Sequence, residues 1–365
     1  MNLEPGTRNP CLLVGIDTEG DNQWDAAARE HQRFENIYAL PRLHARLISH
    51  GVRPTYVITY PVATDARSAE VLRALLAAGD CEVGAHHHAW ETPPCTPEDV
   101  RRHAYAAMLP LPQFEAQLAT LTDAIERAVG RRPVSYRSGR FGFAAAHVAA
   151  LESQGYRVES SVAPLFYEAH KAGPEFVEAP LRPYFLAYDS ATRPGSSAVL
   201  EVPVSAALNR PLPRWLQHAY ARAPRPYTTK RILRALGVVR MRWLRPSYSS
   251  LPDMTALARA LVRQGEPVLN VLFHSSEAIV GGSPYNRTDA ELDAFFDRLE
   301  RFVAFATTEL GARPATFDEF HASYVLARSA NATGNGCRTG GRDDTETPPA
   351  PTETADSTER SGLAG

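Results

Sequence analysis

The sequence predicts an α/β fold: a distorted (β/α)7-type barrel followed by a disordered C-terminal tail. Two observations predict the barrel and a third the tail. Short apolar runs bounded by turn residues recur seven times between amphipathic stretches, the alternation that a parallel sheet with crossover helices requires. The 365 residues, 44% hydrophobic and 22% charged, can fill one large core, and such barrels run to about 200–250 residues or more as one unit. Residues 329–365 are Ser, Thr, Gly, Pro, Asp and Glu with almost nothing to bury, which is the composition of a disordered segment.

Taken in order, residues 1–10 are a lead-in and 11–328 form the barrel domain, with a basic insertion at about 205–252. Leu12–Ile16, Thr55–Thr59, Cys81–Gly84, Val134–Tyr136, Arg157–Val162, Val199–Val204 and Val268–Phe273 read as strands. Between them, Phe114, Leu118, Leu121, Ile125 and Val129 share one helical face, and Gly130 stands where that helix should stop. Thr288 and Glu291 make a capping box ahead of an apolar stripe of Leu292, Phe295, Phe296, Leu299, Phe302 and Val303. Phe317 to Ala327 reads as a short docking helix.

Composition excludes several classes. A formal net charge of −2, from 39 basic and 41 acidic residues, argues against a nucleic-acid partner. Four scattered cysteines with no CxxC pair make neither a disulfide framework nor a thiolate zinc site. The chain shows no secretory leader pattern and no unbroken apolar run of ~18 residues, so a cytoplasmic location with reduced thiols is expected.

Barrel active sites lie at the carboxyl ends of the strands. The first strand exits through Ile16-Asp17-Thr18-Glu19-Gly20-Asp21, where period-two alternation puts Asp17 and Glu19 on one face. The third exits through His86-His87-His88, with His86 and His88 on one face and His87 turned away. The fourth exits through Tyr136-Arg137-Ser138-Gly139-Arg140, the seventh through Phe273-His274-Ser275-Ser276-Glu277. Each alone has a plain reading: an acidic turn, a surface histidine triplet, a salt-bridged arginine, a satisfied core histidine. Accidents would scatter over both ends of the barrel. Carboxylates, paired imidazoles, an arginine and a separate histidine gathered at one end point to a metal-dependent hydrolase.

In this order the segments resemble the motifs of the polysaccharide deacetylases, the family with the NodB homology domain, over about residues 11–325. The resemblance implies Asp17 as catalytic base, Glu19, His86 and His88 as ligands of a zinc-like divalent ion (Co, Ni or Fe fit the same donor set), Arg137 as the group that orients the base, and His274 as general acid. This chain departs from the family twice. The position four after His86 is Trp90, so the second imidazole is assigned to His88. The family's adjacent Asp-Asp is here Asp-x-Glu, which leaves Asp21 a candidate for either carboxylate role. Glu159 and Leu200-Glu201 are alternative counterparts of a fourth motif. Trp24, Trp90, Arg140, Ser276 and Tyr285 are the candidate substrate contacts. The implied activity is removal of an acetyl group from an acetamido sugar or glycoconjugate precursor. Alternatives are hydrolysis of a non-sugar amide or cyclic imide, or an inactive carbohydrate-binding protein.

From Val202 to Pro252 there is no Asp or Glu, while Arg210, Arg214, Arg222, Arg225, Lys230, Arg231, Arg234, Arg240, Arg242 and Arg245 are interleaved with aromatic residues. The stretch reads either as a solvated insertion or as a patch for phosphate, on a nucleotide- or lipid-linked substrate or at an anionic membrane surface.

Overall fold

The computed structural model describes residues 9–98, 104–223 and 238–336. The chain divides into two units, 1–323 and 324–365, and every strand among the described residues lies in the first. The strands are β1 (Cys11–Thr18), β2 (Thr55–Ile58), β3 (Glu82–His87), β4 (Ser135–Ser138), β5 (Val158–Glu159), β6 (Tyr184–Ala187), β7 (Ser190–Pro194), β8 (Leu200–Glu201), β9 (Ala206–Leu208), β10 (Met241–Trp243), β11 (Val268–His274) and β12 (Arg313–Pro314). Parallel ladders run β11-β1-β2-β3-β4-β5-β8. These seven strands are the seven apolar runs of the sequence.

The barrel is distorted because its last ladder never closes. At its free edge β8 pairs antiparallel with β6, which pairs with β7, so the sheet runs on past the barrel. The gap between the chain after β8 and β11 is bridged at Asn270 and Ser205, whose backbone N–H also donates to the Asn270 carbonyl at 3.4 Å. Asn270 donates through Nδ2 to Ser160 Oγ and to the carbonyls of Val202 and Pro203, at 3.0–3.2 Å, while its backbone N–H donates to Ser205 Oγ.

The outer helices form where the pattern demands. Leu111–Val129 buries Phe114, Leu118, Leu121, Ile125 and Val129 and ends at Gly130, whose φ of 74° is the left-handed conformation glycine tolerates. Asp289–Thr308 starts on the Thr288–Glu291 capping box and buries all six residues of its stripe. The basic insertion supplies the β9–β10 hairpin pair and the helix Arg214–Arg222; residues 224–237 lie outside the described residues. The last helix, Phe317–Gly336, runs past the 328 boundary; 337–365 lie outside the described residues. Among the described residues no helix is long and apolar enough to cross a membrane.

Candidate active site

The carboxyl ends of β1, β3, β4 and β11 bring Asp17, Glu19, His86, His88, Arg137 and His274 together. Glu19 lies at the centre. Its Oε1 is 3.6 Å from His86 Nε2 and 3.2 Å from His274 Nε2; its Oε2 is 3.7 Å from His88 Nε2. The strand alternation holds: His87 faces the opposite way, its Nε2 2.8 Å from Gln117 Oε1, and burial holds its pKa down at about 4.

Backbone and second-layer groups fix each imidazole. His86 Nδ1 lies 3.1 Å from the Arg137 carbonyl. A carbonyl only accepts, so Nδ1 carries the proton and the Nε2 lone pair faces Glu19. His88 has no hydrogen-bond partner on either ring nitrogen among the described residues, although it is buried. It is seated by Gly139: a Cβ there would lie 2.4 Å from the ring.

Arg137 is fully buried and clamps Asp17. It donates to Asp17 Oδ1 at 2.6 Å and to the Ser160 carbonyl and hydroxyl at 2.7 and 3.1 Å. Gly15 makes the room, since a Cβ on it would meet Arg137 Nη2 at 2.7 Å. Burial alone would raise the Asp17 pKa, but Arg137, His86 and His274 outweigh it and hold the carboxyl below its ordinary value. Asp17 Oδ2 lies 3.8 Å from His274 Nε2.

On its far side His274 Nδ1 is 2.8 Å from Glu277 Oε1, which also accepts from Arg245 at 2.6 Å, while Ser247 donates to the other oxygen. Burial would raise Glu277, yet Arg245 and His274 bring it down to about 2. An ionised Glu277 accepts the Nδ1 proton, so His274 presents Nε2 to the cluster. Neither Glu277 nor Arg245 was assigned a site role from the sequence. Glu277 could have been found as the carboxylate three residues after His274. Arg245 carries no local signal: 29 positions before His274, it arrives only through the fold.

Several expectations need correction. Asp21 takes neither carboxylate role; its oxygens accept from the backbone N–H groups of Glu35 and Asn36 and from Asn36 Nδ2. Glu159 and Glu201 form a register pair on β5 and β8 but are buried away from the cleft. Ser276 is 1% exposed and does not line the cleft. Tyr285 is also off the lining but packs edge-on against Trp24 at 5.4 Å, and Trp24 against His274 at 4.8 Å. The basic stretch is largely neutralised where it is described: Arg240 and Arg242 bind Asp253, Arg245 binds Glu277, Arg222 binds Glu175 and Glu178. Its absence of acids was a sequence fact only, because the partners come from outside it. Arg225, Lys230, Arg231 and Arg234 lie outside the described residues.

The cluster opens into a cleft of about 1460 Å³ whose walls include Trp24, Trp90 and Arg140 with Phe141, Phe166, Tyr167 and Trp243. Two triads could hold a cation: Glu19-His86-His88 and Asp17-Glu19-His274. The first fits better, because Glu19 turns one oxygen to each imidazole, Oε1 3.6 Å from His86 Nε2 and Oε2 3.7 Å from His88 Nε2, in a nitrogen–carboxylate set that suits a divalent ion. His88 Nε2 also makes no hydrogen bond among the described residues, while its Nδ1 lies 3.7 Å from Glu91 Oε1. In the second triad Asp17 already belongs to Arg137 and His274 to Glu277.

No family model matches the chain, and no curated protein matches it in sequence. Solved structures do. One described as a polysaccharide deacetylase from Mycobacterium smegmatis superimposes with a TM-score of 0.52 at 17% identity, covering 88% of this chain and 92% of that one. Another, described as a glycoside hydrolase/deacetylase from Parabacteroides distasonis, gives 0.56 at 14% identity, covering 88% and 73%. The likeness establishes the fold: the distorted, partly closed barrel of the polysaccharide deacetylases.

Proposed function

We propose that this cleft is the active site of a metal-dependent hydrolase that removes an acetyl group from an N-acetylated sugar or glycoconjugate precursor, releasing acetate and a free amine. The observation that carries this reading is Glu19. It is 4% exposed, and among the described residues no Arg or Lys pairs with it; three imidazole nitrogens face it instead. A buried carboxylate without a cation is costly, and this donor set is one a divalent ion completes.

Glu19, His86 and His88 would hold the ion, zinc-like, with Co, Ni or Fe accepted by the same donors. When bound, such an ion supplies a Lewis acid that polarises an acyl oxygen and makes water more acidic. Asp17, kept ionised and aimed by Arg137, takes the proton of the attacking water. His274 gives a proton from Nε2 to the departing amine, which leaves poorly as an anion. Glu277, itself held by Arg245, accepts from Nδ1, so the proton that leaves Nε2 is the second proton of the imidazolium and the ring keeps its Nδ1–H. Trp24 packs edge-on against the His274 ring and limits its rotation. A single drug-sized ligand fills about 300–1,000 Å³. The larger cleft here, with its aromatic wall, suits a substrate of more than one sugar ring or a sugar on a carrier.

The test is metal analysis of the wild type and His86→Ala, with an acetate-release screen over acetamido sugars. Stoichiometric metal in the wild type alone, with acetate released, supports the reading. Ring opening of cyclic imides without acetate release would move the activity to another amide class. No bound metal and no effect of Asp17→Asn would leave a binding protein.

A further inference from the structure

Five cationic side chains line the cleft: Arg29, Arg140, Lys171, Arg240 and Arg245. Three are already neutralised, Lys171 by Glu168 at 3.1 Å, Arg240 by Asp253 at 2.7 Å and Arg245 by Glu277 at 2.6 Å. Arg29 and Arg140 form no ion pair among the described residues. Arg29 spends one N–H on the Gln23 carbonyl, at 2.9 Å. Arg140 lays its guanidinium over the Trp90 ring at 4.6 Å, and that ring packs on His88 at 4.2 Å. The Trp90 indole N–H also lacks an acceptor among the described residues.

The Arg140 guanidinium is disfavoured as a cation, first by burial and then by the Arg29 charge. Arg140 is moreover held in a left-handed backbone, φ 53°, followed by Phe141 at φ 60°. Both conformations are strained for residues with a Cβ, and such strain persists where the surroundings impose it, commonly at ligand sites. Two like charges brought together in a concave wall, one of them on strained backbone, are stabilised once an anion lies between them.

We propose that Arg29 and Arg140 form a subsite for one anionic group of the substrate, a carboxylate or a phosphate, placed beside the reacting acetamido group by the Arg140–Trp90–His88 stack. The proposal rests on the reading of the cleft as a hydrolase substrate site, and it narrows the substrate class to acidic acetamido sugars. It also relocates the anion recognition that the basic stretch suggested: the arginines described there are largely paired, whereas Arg29 and Arg140 lie outside it.

Binding, measured by calorimetry on the full metal-loaded chain, tests this without requiring turnover. The probes are N-acetylglucosamine, its 1-phosphate, and N-acetylmuramic acid as the carboxylate. Wild type is expected to bind at least one anionic probe about 10-fold or more tightly than the neutral sugar, the scale of one charge-assisted hydrogen bond. Arg29→Gln and Arg140→Gln should each reduce that ratio, and the double variant should bring it near one. Arg222→Gln removes an exposed charge held by Glu175 and Glu178 and should keep the wild-type ratio. Which probe shows the preference separates phosphate from carboxylate. A ratio that survives in the double variant would assign the anion to the metal or another group and overturn the subsite. So would the lack of any preference in wild type, or no binding of any probe. Unchanged melting of the variants separates loss of the subsite from loss of fold. Anion preference with no acetate release would keep the subsite and discard the deacetylase.

Discussion

Replacing Gly139 by Ala adds one methyl group at a single point of the site. The new Cβ would lie 2.4 Å from His88 Cδ2, 2.7 Å from Nε2 and 3.0 Å from Cγ. Carbon contacts settle near ~3.5 Å, so the ring must withdraw by about 1 Å. Trp90 packs edge-on against the same ring at 4.2 Å, and withdrawal moves Nε2 off its line to Glu19. A ~1 Å misplacement costs on the order of 100-fold in rate, about 2.7 kcal/mol of barrier. Metal affinity should fall by about 10- to 100-fold, as when a ligand loses its orienting partner. Overpacking itself costs about 1–3 kcal/mol of stability. Gly155→Ala is the control for the added methyl: its Cβ meets nothing, although it strains a positive φ, 85°, which Gly139 does not have. Metal retention is followed by competition against a chelator, activity by acetate release, and stability by thermal melting. If Gly139→Ala keeps metal and rate like the wild type while folding normally, His88 is no ligand and the assignment of the ion to β1 and β3 is wrong.

Other expectations follow from the same geometry. His86→Ala and His88→Ala should lose metal, whereas His274→Ala should retain it and lose about 10²- to 10⁴-fold in kcat; metal loss in His274→Ala would select the Asp17-Glu19-His274 triad instead. Glu277→Gln should lower kcat about 10- to 100-fold without metal loss, and should cost about 3–5 kcal/mol of stability by leaving Arg245 buried and unpaired. Glu19→Gln removes a buried charge that no Arg or Lys balances, so metal-free Glu19→Gln should melt at or above metal-free wild type; only wild type should gain on adding metal, about 2.7 kcal/mol at 100 times Kd. His147 stacks on Phe114 at 3.7 Å, and burial lowers its pKa from 6.5 to about 3. The folded state therefore binds fewer protons than the unfolded, and stability present above pH 6.5 is lost progressively as pH falls towards 3, by up to about 5 kcal/mol. His147→Gln should flatten that acid limb in chemical denaturation; an unchanged limb would place the sensitivity elsewhere.

The sequence was legible where structure repeats a local rule. Seven of the eight strands that pair in parallel were apolar runs, the two-residue β12 beside β1 being the exception, and the 3.6-residue stripes of Leu111–Val129 and Asp289–Thr308 are the buried faces. Period-two alternation placed Asp17 with Glu19 and turned His87 away. Strand pairing outside the βα alternation left no such trace: β6, β7, β9 and β10 are three to five residues long, and partner choice decides them. Polar contacts made at long range were equally silent. Asp21 looked equivalent to its neighbours until Asn36 and Glu35 took its oxygens. The arginines of the acid-free stretch looked like a patch until their carboxylates arrived from Glu175, Glu178, Asp253 and Glu277. A chain can announce which residues reach a strand exit, but not which of them are already satisfied there.

That distinction sorts the charges of the site. Asp17 is balanced by Arg137, and Glu277 by Arg245, both through short contacts in buried surroundings. Remove those two pairs and Glu19 remains, facing only imidazoles, with the buried Glu91 behind His88, where burial and Glu19 raise its pKa to about 8 and Gln32 donates to it. On the cation side the same subtraction leaves Arg29 and Arg140. Proteins tolerate uncompensated charge in a concave wall chiefly where a ligand completes it. Glu19 and Arg140, of opposite sign, flank the same His88–Trp90 pair, and Arg29 lines the same cleft. A cation on the inner side and an anion on the outer side would then be held at opposite faces of one substrate, with its acyl group between them.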